Sequence, residues 1–265
     1  MRELAVAVEA ARAAAEILRA ADGAQRVSHK GVVDLVTEID EAAEAAVRAV
    51  LQRHTPDIPV LGEEGGGAWD ARTRWIVDPL DGTTNFVHGF PWYCVSVALE
   101  VDGERAVGVI LEPIRDRLFT AARGAGAACN GTPIHVSTCA TLDHALVATG
   151  FPYDRRERAH VYTSQVERML RRSQGIRRAG AAALDLALVA AGQLDAYWEH
   201  NLRPWDMAAG ALLVEEAGGM VTSHAGQAEL DARWPAPLAT NGLLHSAMQD
   251  VLTAVDDPTG TPTHR

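Results

Sequence analysis

The segment Asp78-Pro-Leu-Asp81-Gly-Thr83-Thr84-Asn85 sets two carboxylates three residues apart on a proline-stiffened turn. It follows the apolar run Trp75-Ile-Val, which reads as a buried strand. Carboxylates so placed suit divalent cations, which prefer oxygen donors, and the backbone at Gly82 and Thr83 could present N–H groups to a phosphate oxygen. Gly82 fits that task because no Cβ would block a close approach. Glu63 and Glu64 likewise follow an apolar strand after Gly62, and Asp206 opens a helix after Arg203-Pro-Trp. Each group alone has an ordinary reading: a solvated loop pair for Glu63 and Glu64, a helix N-cap for Asp206, a plain turn for Asp78 to Asp81. All of these acids follow apolar strands or open helices, where a packed core could gather them into one cleft. There they would repel one another and take up either protons or cations.

Elements able to do that gathering are legible on both sides. Residues 3–21 repeat Leu4, Val8, Ala11, Ala15 and Leu18 at helical spacing up to Asp22-Gly23. A polar loop around Ser28-His29-Lys30-Gly31 leads to a second helix at about 37–54, closed by Pro56. Strands are expected at 58–61 and 74–77, separated by Gly65-Gly66-Gly67, then an antiparallel run at 95–101, 106–111 and 118–121. Asn130-Gly131 is a further hairpin signal. Beyond about residue 140, strands at 145–149, 175–178 and 195–199 alternate with helices at 155–172 and 181–191, and with a helix from Asp206 to Ala217 closed by Gly218-Gly219. No linker divides the chain. The expected organisation is one unit, 1–265, in two lobes: about 1–140 with the antiparallel sheet and the cation-binding acids, and about 141–255 of α/β character, with 256–265 as a flexible tail.

At 265 residues, 48% of them hydrophobic, the chain can bury a sizeable core. Its net charge of −11, from 24 basic and 35 acidic residues, argues against a dedicated nucleic-acid binder. Cys94, Cys129 and Cys139 form no C-x-x-C pair, which argues against a disulfide framework or a thiolate zinc site and fits a reducing cytosol. No basic-then-apolar leader is present, and no apolar run reaches the roughly 20 residues of a membrane span. The nearest, 181–192, is interrupted by Asp185. A soluble, cytoplasmic protein is the expectation. His88, His200 and His224 show no i, i+4 zinc pair and are expected to be structural or solvent-facing.

Taken together, these motifs resemble those of the inositol monophosphatase family over almost the whole length. The resemblance runs through Asp34-Leu-Val-Thr-Glu-Ile-Asp40, Gly62-Glu63-Glu64, residues 78–86, Ala179-Gly180-Ala-Ala-Ala-Leu-Asp185, Trp205-Asp206-Met-Ala-Ala-Gly210 and Glu216-Ala-Gly-Gly219. The Asp78 and Trp205-Asp206 blocks are specific together, neither alone. Leu202-Arg-Pro-Trp-Asp206 looks most like the bacterial extragenic-suppressor members. The resemblance implies an α/β (α+β) layered αβαβα sandwich of the inositol monophosphatase and fructose-1,6-bisphosphatase type. It implies Mg2+, two or three ions per site with Mn2+ as a substitute, held by Glu63, Asp78, Asp81, Asp206 and the carbonyl of Leu80. Glu63 would accept the proton of the attacking water, helped by the Thr83 hydroxyl, which Asp40 would orient. Gly82 and Thr83 would hold the phosphate. Asp81, Asp206, Glu199 and the backbone at Gly180 and Ala182 would meet the alcohol part of the substrate. Ala181 stands where relatives often carry Ser or Thr, which removes one polar contact, and Lys30 is given no more than a loose electrostatic role.

The implied reaction is Mg2+-dependent hydrolysis of myo-inositol monophosphate, or of a similar polyol or sugar phosphate, by metal-activated water without a phosphoenzyme. Lithium sensitivity and a homodimer are implied too. Histidinol phosphate and fructose-1,6-bisphosphate are the alternative substrates. Nucleotide 3′-phosphatases usually carry Lys-Glu where this chain has Thr84-Asn85. A reading of another class is a regulatory binding protein in transcription or ribosomal RNA maturation, touching RNA or RNA polymerase through Arg155, Arg156, Arg158, Arg171, Arg172, Arg177 and Arg178. The plainer account of those arginines is a solvated helix face with inter-subunit ion pairs.

Overall fold

The computed structural model describes residues 2–21, 27–29, 35–226 and 236–254, with the backbone alone at 27–29 and 35–37. Asp22-Gly23, Lys30, Asp34 and the tail 256–265 lie outside the described residues. Small residues set the first layer. Helix α1 (Arg2–Ala20) buries Ala7, Ala10, Ala11, Ala14 and Ala15 on one stripe, at the spacing of a core-facing helix. After the antiparallel pair β1 (Val27–His29) and β2 (Leu35–Thr37), α2 (Glu38–His54) packs Ala43, Val47, Val50 and Leu51 into the same cluster.

These helices cover one face of an eight-stranded sheet. Its strands are β3 (Val60–Gly62), β4 (Gly66–Gly67), β5 (Arg74–Asp81), then, after the short helix α3 (Thr83–Val87), β6 (Cys94–Val101), β7 (Glu104–Glu112), β8 (Arg117–Ala122), β9 (Ala127–Cys129) and β10 (Thr132–Ile134). Their order is β10-β9-β8-β7-β6-β5-β3-β4, and only β3 and β5 run parallel. Strand alternation divides the sheet's side chains. Trp75, Val77, Val95, Val97, Val107 and Val109 face α1 and α2, whereas Ile76, Ala98, Ile110 and Phe119 face the other way.

That second face packs on helices from later in the chain. There β11 (Leu146–Thr149), α4 (Arg155–Leu170), β12 (Gly175–Arg177), α5 (Ala182–Ala190), β13 (Ala196–Trp198), α6 (Pro204–Glu216), β14 (Met220–Ser223), β15 (Pro237–Thr240) and α7 (His245–Thr253) follow in turn. The strands form a five-stranded sheet, β12-β11-β13-β15-β14, in which β11 runs parallel to β12 and β13. Every residue of α5 is buried, as befits a helix covered on all sides. Helices α5 and α6 lie between the two sheets, with Ala148, Tyr197 and Ala239 of the smaller sheet in the same cluster. Their neighbours Val147, Trp198 and Leu238 point to the opposite face, onto Met169 of α4 and Met248 of α7. The layers therefore read αβαβα, as expected.

Three expectations need correction. Strand β5 does not stop at Val77 but continues to Asp81, so Asp78-Pro-Leu-Asp81 is strand rather than turn. Helix α6 starts at Pro204, two residues before Asp206, because proline is pre-organised for the first helical position. Strands β14 and β15 and helix α7 were not expected from sequence; the two strands are only four residues each, whereas α7 buries His245, Met248, Val251 and Leu252 at helical spacing.

Glycine allows α6 to sit directly on the larger sheet. A Cβ on Gly108 of β7 would lie 2.8 Å from the carbonyl oxygen of Ala209. Backbone cannot yield as a side-chain tip can, so Gly108→Ala is expected to cost about 1–3 kcal/mol in urea unfolding. An unchanged midpoint would mean that α6 is not seated this closely.

Candidate active site

A bulge aims the two aspartates of β5 the same way. Asp78 pairs with Ser96 and Asp81 with Cys94, so three steps along β5 match two along β6. Without the extra residue, positions three apart would face opposite sides of the sheet. With it, both aspartates share the face of Cys94 and Ser96, the side of α5 and α6. Pro79 lies inside the irregularity, where its missing N–H breaks no regular ladder.

Each carboxylate is then fixed by a different element. Asp78 Oδ1 accepts the N–H of Leu80 at 3.0 Å. Asp81 Oδ2 accepts the N–H of Ala183 at 2.7 Å, in the first turn of α5, where the helix dipole favours negative charge. Glu63 follows β3, and its N–H donates to the carbonyl of Val77 at 3.1 Å, which sets it beside Asp78. Ser96 Oγ donates to the carbonyl of Trp205 at 3.1 Å and ties the start of α6 to the sheet. Asp206 is the third residue of α6 and accepts the N–H of Arg203 at 2.6 Å. It caps from inside the helix rather than opening it. The Thr83 hydroxyl lies 2.9 Å from Asp40 Oδ1 and 3.2 Å from the carbonyl of Leu80.

Glu63, Asp78, Leu80, Asp81, Gly82, Thr83, Gly180, Ala182, Glu199 and Asp206 all line one cavity of about 670 Å³. Asp40, buried behind Thr83, is the one expected site residue that does not. Burial, then the neighbouring charges of Glu63, Asp81 and Asp206, push Asp78 well above the usual carboxylate range. Burial raises Asp81 to about 6 against the pull of the α5 N–H groups. Asp206 is raised to about 8 by burial and then by Asp81 and Glu199. Glu199 reaches about 7 by burial, although the Tyr197 hydroxyl and Arg178 favour its charge.

The donor chemistry fits a hard divalent cation: carboxylates and a carbonyl, all oxygen, with charges that repel in its absence. Among the described residues no three His, Cys, Asp or Glu side chains are already gathered into a ligand cluster. Magnesium does not require one, since it keeps several waters and takes few carboxylates directly. The histidines offer nothing more. Burial lowers His200 to about 4 and His224 to about 3, the two rings meet edge to face at 4.9 Å, and His88 is exposed.

Sequence reasoning missed several residues of this site. Gly150 lines the cavity, and a Cβ there would lie 1.8 Å from Glu199 Oε2, so only glycine leaves room for that acid. Asn85 Nδ2 donates to the carbonyls of Trp92 at 2.7 Å and Ala179 at 2.9 Å, which holds α3 to the loop before α5. Glu44 is buried beneath the turn that carries Glu63. Arg155 and Arg178, read as part of a solvated face, line the cavity near Glu199. Arg158 and Arg171 fit the solvated reading, paired with Asp154 and Glu167 along α4. No helix among the described residues is long and apolar enough to cross a membrane.

A model of the inositol monophosphatase family matches residues 1–256. The chain is 44% identical to a Synechocystis protein named inositol-1-monophosphatase, over 95% of this chain and 88% of that one. It is 46% identical to the Nus factor SuhB of Pseudomonas aeruginosa, over 85% of this chain and 87% of the relative. Among solved structures, the extragenic suppressor protein suhB of Bartonella henselae superposes with a TM-score of 0.90 at 40% identity, covering 96% and 99% of the two chains.

Proposed function

Since this chain belongs to the inositol monophosphatase family, we propose that it is a Mg2+-dependent phosphomonoesterase acting on myo-inositol monophosphate or a similar polyol or sugar phosphate. The observation that carries this reading is the convergence of acids from β5, the β3–β4 turn and α6 on one cavity. The family is metal-dependent, and Glu63, Asp78, Asp81, Asp206 and the Leu80 carbonyl are the groups that would hold two or three ions, Mn2+ serving as a substitute. A divalent cation, when bound, lowers the pKa of a ligated water and neutralises charge on the phosphate.

The chain's own groups supply the rest. With its proton donated to Asp40, the Thr83 hydroxyl turns its lone pairs toward the cavity and accepts from the attacking water. Glu63 takes that water's proton as the new O–P bond forms in line and the bond to the alcohol oxygen breaks, the departing alkoxide taking up a proton from solvent water to leave as the alcohol. The N–H groups of Gly82 and Thr83 hold a phosphate oxygen; Gly82 is left-handed at φ 100°, and a Cβ would lie 3.0 Å from the carbonyl oxygen of Trp92. Glu199, Asp206 and the backbone at Gly180 and Ala182 form the wall for the alcohol. We take 1–265 as one unit of two lobes, supported by the seating of α5 and α6 on the larger sheet, and as a cytoplasmic, lithium-sensitive homodimer on the strength of the family.

Catalytic efficiency on inositol-1-phosphate, histidinol phosphate and fructose-1,6-bisphosphate, with Mg2+ present, tests the substrate. An order-of-magnitude preference for either alternative overturns the assignment. The second reading, a contact with RNA or RNA polymerase, draws on the Nus factor name of the Pseudomonas relative. Capture of polymerase or RNA from lysate by a metal-dead Asp206→Asn variant would support it.

A further inference from the structure

We propose that Glu44 is a positioning residue for the candidate base, holding the turn that carries Glu63. The inference rests on the reading of Glu63 given above. Glu44 is 2% exposed and stands one helical turn beyond Asp40 on α2. Its carboxylate accepts the N–H of Glu64 at 2.8 Å and of Gly65 at 2.9 Å. Arg48, a further turn along, donates to Glu44 Oε1 at 2.7 Å and to the carbonyl of Gly66 at 2.7 Å. Glu44 therefore grips two backbone groups of the three-residue hairpin loop 63–65, which joins the paired Gly62 and Gly66, and Arg48 holds the strand residue Gly66 just after it.

The glycines of this turn answer to the same carboxylate. A Cβ on Gly62 would lie 2.4 Å from Glu44 Oε1, and one on Gly65 would lie 2.7 Å from it. Two of the glycines are thus explained by the acid they admit. A salt-bridged carboxylate accepting two N–H groups is a charge-assisted contact, stronger and more directional than a neutral one. One face of α2 then serves both partners of the attacking water: Asp40 fixes the Thr83 hydroxyl, and Glu44 fixes the backbone from which Glu63 projects.

Glu44→Gln tests this, because an amide offers one acceptor oxygen where two N–H groups and a guanidinium now converge. Activity on inositol-1-phosphate is measured across Mg2+ concentration, and Mn2+ binding to metal-stripped protein by calorimetry. The expected result is a roughly 10–100-fold weaker Mn2+ affinity and half-saturating Mg2+, with kcat reduced and KM little changed, as when a supporting contact to a metal ligand is lost. A merely structural role would lower the folded fraction and leave the half-saturating cation concentration where it was; that outcome overturns the proposal. Should Glu44→Gln not fold, Gly62→Ala presses on the same carboxylate and is read by the same two measurements. Glu63→Gln separates the two claims. Full activity of that variant sinks the reading of Glu63, whereas a dead Glu63→Gln beside a Glu44→Gln with wild-type cation dependence sinks this inference alone.

Discussion

Asp78→Asn will abolish turnover while leaving the metal-free protein at least as stable as the wild type. Asp78 is 1% exposed and takes repulsion from Glu63, Asp81 and Asp206 on top of its burial. A buried carboxylate with three acidic neighbours destabilises an empty site and favours a filled one. Asparagine keeps the Oδ1 that accepts from Leu80 and removes the charge. In EDTA its melting temperature should equal or exceed that of the wild type. With Mg2+ present, kcat should fall well beyond the roughly 10–100-fold that loss of a supporting contact costs, because Asp78 is the acid on which Glu63, Asp81 and Asp206 all act. Hydrolysis at wild-type rates by Asp78→Asn would refute its assignment as a ligand.

The metal-free protein should lose stability as pH rises, and Mg2+ should restore it. Folded, Asp81, Glu199 and Asp206 titrate at about 6, about 7 and about 8; in an unfolded chain such groups titrate near 4. Between those limits the folded chain holds protons that the unfolded chain has released, so stability is fully present below about pH 4 and declines as pH climbs through the folded values. A tenfold difference in proton affinity between the two states corresponds to about 1.4 kcal/mol, and the three folded values lie roughly one, two and three units above pH 5, which puts the loss between pH 5 and pH 9 on the order of 8 kcal/mol at most. For a chain of this size that corresponds to a fall of up to roughly 15–30 °C in Tm. Millimolar Mg2+ should recover it at pH 8.5 and do little at pH 5, where protons compete for the same oxygens. Melting curves at both pH values, with and without Mg2+, decide the matter. A flat pH profile, or a magnesium effect of equal size at both, would count against a shared acidic site.

The difference between what was legible in the sequence and what was not follows the range of the interactions. Strand and helix periods revealed both helices of the first layer and the central strands, since those patterns are local. Each acid of the cavity was legible as following an apolar strand or opening a helix, but only the family resemblance joined them into one set. Their aiming was not legible. Pro79 reads as a turn former, yet here it sits in a bulge whose existence depends on the register with β6. Asp206 reads as a cap, yet Pro204 starts the helix two residues earlier. Glu44 was invisible for a different reason. On a helix that also carries Glu38 and Glu41, Glu44 turns inward together with Asp40, and an inward acid has no hydrophobic signature of its own. Gly150 is the same case: only contact with Glu199, far along the chain, explains it.

Anomalous diffraction from crystals soaked in Mn2+ tests the central claim most directly. The account predicts density in the cavity, with oxygens of Glu63, Asp78, Asp81, Asp206 and the Leu80 carbonyl at the roughly 2.0–2.6 Å of hard-cation ligation. A cavity without an anomalous peak at saturating Mn2+, or a peak held by other residues, would contradict it.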